Sequence, residues 1–300
     1  MNISNIKNGL ERRRWNTKKW AFQTWLKLSK NPRPTSSPYI SADSFRAIAD
    51  HVFDYVDEKT KVPDVKTGDI IYINSDDSQK FFTQIHPKIN NPYILISHWG
   101  IKPFGTSLIP YLDNKIIHVF AKNALVAHPK VTSLPIGLED LHRYNAGVVG
   151  EFDKLRKKKI NKKEKILFDF KIATNKVERQ KASDFLTSSR FAEKPENKLP
   201  PWKYHELLQQ CMFVASPPGA GRECHRTWEA IYLKTIPVVK RSYCEEYFES
   251  IGAPIWVVDD WEELKEVNLP QKYKEIIARS NSDIIWMNYW INRIDNYKKN

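Results

Sequence analysis

Short runs of Ile, Val, Leu and aromatic residues recur along the chain at strand length, separated by polar, helix-compatible stretches. In the first half they fall at residues 70–73, 93–96, 116–121 and 131–136. Continuous apolar runs of this kind fit strands buried on both faces of a parallel sheet, with crossover helices between them. Ahead of them, Phe45, Ile48, Val52, Tyr55 and Val56 follow a helical spacing and predict an amphipathic helix. A second series follows at 166–170, 212–215, 236–239 and 255–258, with helices expected at 176–186, 204–210, 223–233, 243–250 and 261–265. Ile284, Met287, Trp290, Ile291 and Ile294 then return at helical spacing behind Ser282 or Asp283 as N-cap, predicting a last helix whose apolar stripe is headed by Trp286 and Trp290.

The two α/β series are divided at residues 154–165, which hold eight basic residues and one acidic. Such a run reads as a solvated linker. The expected organisation is a Rossmann-like domain over 1–150, a basic linker over 151–165, a second Rossmann-like domain over 166–278 and a closing helix over 279–300. Sheets of this class bind ligands beyond the carboxyl ends of their strands.

Charge and cysteine content narrow the partners. A net charge of +13 calls for an anionic partner without choosing among nucleic acid, membrane surface and nucleotide diphosphate. Cys211, Cys224 and Cys244 are odd in number and form no metal or disulfide framework, which fits a reducing, cytoplasmic setting. Residues 1–30 are too charged for a signal or a membrane span. They fit a basic amphipathic helix with Trp15, Phe22, Trp25 and Leu26 near one side, docked on the protein's own surface or, as the weaker alternative, touching a membrane.

The chemistry concentrates between Cys211 and Ser242. A buried strand runs into Ser216-Pro217-Pro218-Gly219-Ala220-Gly221, and a helix is expected to start near Arg222 or Glu223. Prolines stiffen one end of this loop and glycines free the other, so backbone N–H groups can approach a phosphate, with a helix amino end behind them. Arg222 and Arg226 lie one turn apart and could face one diphosphate. Glu229, a turn deeper, could accept hydrogen bonds from ribose hydroxyls. An ordinary surface ion pair between Arg226 and Glu229 is the competing reading.

The string SPPGAGRECHRTWEAIYLKTIPVV (216–239) resembles the donor-domain signature of exostosin-like glycosyltransferases. HPKVTSLPIGLEDLHRYNAG (128–147) is similar to the stretch that closes their acceptor half, and KIATNKVERQKASDFL (171–186) to the first strand-to-helix loop of their donor half. The resemblance implies an α/β protein of GT-B architecture: two Rossmann-like domains facing across a cleft, the first binding acceptor, the second donor, and the last helix crossing back onto the first. It implies an inverting glycosyltransferase that moves a sugar from a nucleotide sugar, a UDP-sugar such as UDP-xylose or UDP-glucuronate, onto a hydroxyl of a glycan acceptor. No catalytic metal and no cofactor are expected. Donor contacts are expected from Lys171, Arg179, Ser216, Pro218, Gly219, Arg222, Glu223, Arg226, Thr227 and Glu229. Lys234-Thr235 departs from the glycine common before the Ile-Pro-Val segment of that family.

Inversion needs a general base, expected on a loop of the first domain. His98 after the 93–96 run is favoured, followed by Asp77 and Asp76 after the 70–73 run. Glu139 and Asp140, beside the hinge, are a weaker choice of base; with Trp99 they are expected rather to shape the cleft or bind acceptor. Two alternatives stand beside the enzyme: a basic nucleic-acid-binding protein, disfavoured because no known nucleic-acid module is present, and a catalytically silent glycan-binding relative.

Overall fold

The structure is a computed structural model and describes residues 3–298; the outermost two residues of each predicted end segment lie outside it. The N-terminal half comprises α1 (Ile3–Leu28), α2 (Ala42–Arg46), β1 (His51–Phe53), β2 (Ile70–Asn74), α3 (Ser78–Lys80), β3 (Tyr93–His98), β4 (Ile116–Lys122) and β5 (Val131–Leu134). After α4 (Val149–Arg156), the C-terminal half holds β6 (Lys163–Leu167), α5 (Lys176–Ser188), β7 (Ala192–Glu193), α6 (Pro201–Gln210), β8 (Cys211–Ala215), α7 (His225–Tyr232), β9 (Ile236–Lys240), α8 (Tyr243–Ser250), β10 (Trp256–Val258) and α9 (Leu269–Ala278). The last helix, α10, spans Met287–Lys298.

The two sheets are parallel and five-stranded, but they are wound differently. The first runs β1-β2-β3-β4-β5 in chain order. Parallel crossovers are right-handed, so four steps in one direction put every connection on the same face. The packing agrees. Val65 from the first connection, Phe81 and Phe82 from the second, Phe104 from the third and Val126 from the fourth all join Ile71, Ile73, Leu95 and Val119 in one core cluster. The alternate strand residues Ile70, Tyr72, Ile94, Ile96 and Phe120 point the other way and depend on elements from elsewhere. α10 supplies that cover: it packs on β3 and β4, and Trp290 and Ile294 share the cluster with those strand residues. The second sheet has the order β10-β9-β8-β6-β7. Its winding reverses between β6 and β8, and that reversal opens a crevice at their carboxyl ends.

One tyrosine ties the halves together. The Tyr232 hydroxyl on α7 donates to the Ile285 carbonyl at 2.7 Å and accepts from the Ile40 amide at 3.0 Å. Around it, the rings of Tyr39, Trp286 and Tyr232 lie within 5.8 Å of one another, and the Arg156 guanidinium stands 4.7 Å over Trp286. Trp286 thus precedes the last helix instead of heading its stripe, and the N-cap expected at Ser282 or Asp283 lies before α10 begins.

Three other expectations change. Residues 45–56 are not one helix: Ser41 accepts from the Ser44 amide and caps the short α2, and His51–Phe53 then pairs with β2 as an edge strand too short to show a period of its own. The α7 helix starts at His225, because Cys224 is extended at φ −125°. The basic run is not wholly a solvated linker, since its ends lie in α4 and β6. Lys162 is turned inward, where its ammonium donates to the carbonyls of Gln209 and Cys211 and to Thr235 Oγ1, the nearest at 2.8 Å; burial brings its pKa down to about 8.

Trp290 is fully buried and its Nε1–H donates to the Ile284 carbonyl at 2.8 Å. Trp290→Ala is expected to lower stability by about 3–5 kcal/mol in chemical denaturation. A loss below about 1 kcal/mol would show that the first sheet does not rely on α10.

Candidate active site

The carboxyl ends of both sheets open onto one cleft of about 390 Å³. His98, Trp99, Lys122, Asn123, Glu139 and Asp140 line it from the first half; Arg179, Gly219–Gly221, Glu223 and His225 line it from the second. A second cavity of about 310 Å³ lies against the same Gly219–Gly221 loop and includes Pro218, Arg222 and Asn175. The loop therefore separates two recesses.

The loop is stitched to the first half. Asn123, in the left-handed region at φ 53°, accepts the Glu223 amide at 3.1 Å. The Ile136 amide donates to Glu223 Oε1 at 3.3 Å, and His225 Nδ1 donates to the Gly137 carbonyl at 2.9 Å. Glycine keeps this approach close: a Cβ at Gly221 would lie 2.6 Å from Asn123 Nδ2 and one at Gly219 2.9 Å from Arg179 Nη2, so either would displace a side chain that shapes the loop.

Two guanidiniums stand at the switch-point crevice, Arg179 in the cleft lining and Arg226 behind it. Arg179 donates to the carbonyls of Pro218 and Lys171, both at 3.0 Å, and so braces the loops after β6 and β8. Arg226 donates to Tyr204 Oη at 3.0 Å and to the Asp169 carbonyl at 2.7 Å, while its Nη1 is buried with no partner. Both guanidiniums stand 5.8 Å from the Phe170 ring centre. Among the described residues neither has a carboxylate within ion-pairing distance. Buried charge is costly unless matched, so two such cations beside the amino end of α7 make a place suited to an anion.

The other donor-side expectations divide. Ser216 Oγ and Thr227 Oγ1 hydrogen-bond each other at 2.9 Å, both buried, and so fasten the loop to α7. Lys171 contributes its carbonyl to Arg179, while its side chain is exposed. Arg222 is exposed at the second cavity. Glu229 does not line the cleft: it is buried toward α6, with His205 Nε2 3.6 Å from its Oε2. Its carboxyl is held below the usual range despite burial, by His205 and Arg226. Glu223 lies deep in the cleft wall, with Oε1 accepting from Trp228 Nε1 at 2.8 Å and Oε2 without a partner. Burial and neighbouring Glu245 push its pKa up to about 8.

The favoured base is corrected by geometry. His98 lines the cleft, but its Nδ1 accepts the Trp99 amide at 2.7 Å, so Nε2 carries the hydrogen and donates to the Pro135 carbonyl at 3.0 Å. No lone pair is left to take a proton. Burial, with Lys122 nearby, holds its pKa down at about 3. Asp76 and Asp77 fail for a related reason. Asp76 Oδ1 accepts the amides of Ile101 and Lys102 at 2.7 and 2.8 Å, and Asp77 Oδ2 accepts the Val56 amide at 3.1 Å, so both carboxylates order loops, Asp76 the one that brings Ile101 to the cleft, and neither lines the cleft itself.

Asp140 is better placed. It is 5% exposed, lines the cleft, and accepts the Asp43 amide at 2.9 Å through Oδ1 only. Burial and the charge of Asp43 raise its pKa. Asp43 is itself gripped by Arg33 Nε at 2.6 Å and His142 Nδ1 at 2.7 Å. Asp43, Asp140 and His142 bring ligand atoms within 4.8 Å of one another. The Arg33 cation and His142 already engage both Asp43 oxygens, so the group does not fit an ion. Glu139 turns its Oε2 to the Ala146 amide at 2.8 Å, and Trp99 carries the Arg33 guanidinium 4.3 Å over its ring. Lys122, which donates to the carbonyls of Trp99 and Gly100, is brought down to about 8 by burial. Its position directly after the 116–121 apolar run was the available signal for it.

Comparison with known proteins bears on the second half. Residues 172–296 match the family model of the RXYLT1 C-terminal domain. That match begins inside the loop after β6, past Asp169, Phe170 and Lys171, and runs through Arg179, the glycine loop, α7 and nearly all of α10; it carries the RXYLT1 name where the motifs had suggested exostosins. No curated protein matches the chain. Among solved structures, the spinosyn rhamnosyltransferase SpnG complexed with thymidine diphosphate is similar at 11% identity and a TM-score of 0.35, over 70% of this chain and 64% of that one. The same enzyme described without that ligand gives 12%, 0.34, 70% and 63%. The chain thus spans less than two thirds of either protein, and so distant a likeness carries no activity across.

His98 and His118 are both buried, and burial depresses their pKa values to about 3 and about 4. In the unfolded chain each titrates near ~6.5. Below that pH the unfolded state binds more protons, so this stability is complete above it and is lost as pH falls. Urea denaturation is expected to show a decline from pH ~6.5 toward ~4 of up to about 1.4 kcal/mol per pH unit per ring, with a shallower slope for His98→Gln. An unchanged slope in that variant would contradict the neutral, buried ring.

Proposed function

We propose that this protein is a glycosyltransferase that binds a nucleoside-diphosphate sugar in the switch-point crevice and transfers the sugar, with inversion, to a glycan hydroxyl presented from the first half. The observation that carries this reading is the pair of guanidiniums, Arg179 and Arg226, that make no ion pair with a described carboxylate and meet at Phe170 behind a glycine loop and a helix amino end. A diphosphate would give them the direct ion-pair partner they lack. The match to RXYLT1, a ribitol xylosyltransferase by name, favours a pentosyl donor such as UDP-xylose over UDP-glucuronate.

Asp140 is the general base in this reading. It takes the proton of the acceptor hydroxyl as the oxygen attacks the anomeric carbon, and the bond from that carbon to the diphosphate breaks. Arg179, Arg226 and the amino end of α7 receive the departing negative charge, so no metal is required for that step. A raised carboxyl pKa brings the base closer to the operating pH, where proton transfer is most effective. Glu223, largely protonated near neutral pH, donates a hydrogen bond to a donor hydroxyl. The setting is cytoplasmic.

UDP at saturating concentration is expected to raise the melting temperature by about 5 °C. Arg179→Ala and Arg226→Ala should abolish the rise while the far-UV spectrum is kept. Asp140→Asn should keep the rise and lower kcat with a UDP-sugar by about 10²–10⁴-fold. No thermal response to any of UDP, GDP, CDP, ADP or dTDP would overturn the reading, and an active Asp140→Asn enzyme would remove the base.

A further inference from the structure

The positive charge of this protein is confined to two short segments. Residues 1–30 hold eight basic residues against one acidic, and residues 154–165 hold eight against one. Of the 48 basic and 35 acidic residues in the chain, 32 and 33 remain for the other 258 positions, which are neutral to within one charge. Neither segment supplies a side chain to the cleft.

The two segments converge in the fold. On α1, Trp15 stacks on Trp202 of α6 with ring centres 4.6 Å apart and lies 5.5 Å from Tyr144, while Glu11 pairs with Lys203 of α6 at 2.8 Å. α4 packs against α6 as well, and Lys158 just beyond α4 reaches Glu206 of α6 at 3.7 Å. Helix α6 therefore lies between the two basic segments and joins them.

The outward side of α1 is more than charged. Leu10, Trp20, Trp25 and Leu28 are 54, 69, 52 and 84% exposed, interspersed with exposed Arg12, Arg13, Arg14, Lys18 and Lys27. By the 3.6-residue period, Leu10, Trp20 and Leu28 project away from the Trp15 side that docks on the protein. Nucleic acid would reward the charge but give no role to exposed leucines. A bilayer interface uses both: indole rings settle at headgroup level, aliphatic side chains enter the acyl boundary, and Lys and Arg meet anionic headgroups. No described helix is long and apolar enough to cross a membrane, so the contact is one of lying on the surface.

We propose that the outer side of α1, with the basic residues following α4, docks this protein on an anionic lipid bilayer. The inference does not depend on the transfer reaction. It is tested with the whole chain floated on vesicles of phosphatidylcholine alone or with about one third phosphatidylglycerol. Retention on the anionic vesicles should exceed that on neutral ones by about tenfold or more, and raised salt should weaken it. A Trp20→Ala/Leu28→Ala double variant should lose about tenfold in retention while keeping its melting temperature and its response to UDP. No retention on anionic vesicles, equal retention on neutral vesicles, or undiminished retention of the double variant would each overturn the proposal, the last by showing a contact made through charge alone.

Discussion

The order of strands in the first sheet is the constraint on which the rest depends. Five parallel strands laid down in succession send all their connections to one face, and the other face, carrying Ile70, Tyr72, Ile94, Ile96 and Phe120, is met locally only by the short α2 segment through Tyr39, Ile40 and Phe45. α10 closes that face after the chain has passed through the whole second sheet. Because the helix approaches by way of Trp286 and Ile285, the same crossing brings α7 of the second half against Tyr39 and Ile40 of the first. Both sets of strands are thereby held with their carboxyl ends toward a shared cleft. The cleft follows from how the first sheet is covered.

Within it, the distribution of charge is asymmetric. The second half contributes guanidiniums tied to carbonyl oxygens that make no ion pair with a described carboxylate, Arg226 being only partly balanced by Glu229 at longer range. The first half contributes carboxyl groups, Asp140 in front of Asp43, whose mutual repulsion and burial raise the proton affinity of the one that faces the cleft. One wall attracts anions while the opposite wall retains protons. Glu223 stands on the cationic side with a raised pKa, so its own charge does little to cancel the field of the arginines.

Much of this was legible in the residues. β-branched runs announced the strands, and the Pro-Pro-Gly turn announced the loop before α7, because buried parallel strands and tight phosphate-facing turns draw on few residue types. Strand order was not legible: apolar runs look alike whatever their neighbour, and the three residues of β1 are too few to show a period. The donor loop was located but its fastening was not, since Asn123 and Glu223 meet across 100 positions of sequence. His98 shows the limit most clearly. Its place after a strand is the same for a base and for a structural ring, and only the Trp99 amide and the Pro135 carbonyl distinguish them. Asp140 was visible as a cleft residue, whereas the Asp43, Arg33 and His142 network behind it gave no local signal.

The late arrival of α10 has a bearing on synthesis. The fifth strand of the first sheet is complete at Leu134, and α10 begins at Met287, about 150 residues later. At an elongation rate of about 5–20 residues per second, a ribosome takes roughly 8–30 s to cover that distance. Throughout this interval the nascent first sheet holds an apolar face covered only in part, by α2 and later α8, a surface suited to a holding chaperone until the final turns emerge and the two halves lock.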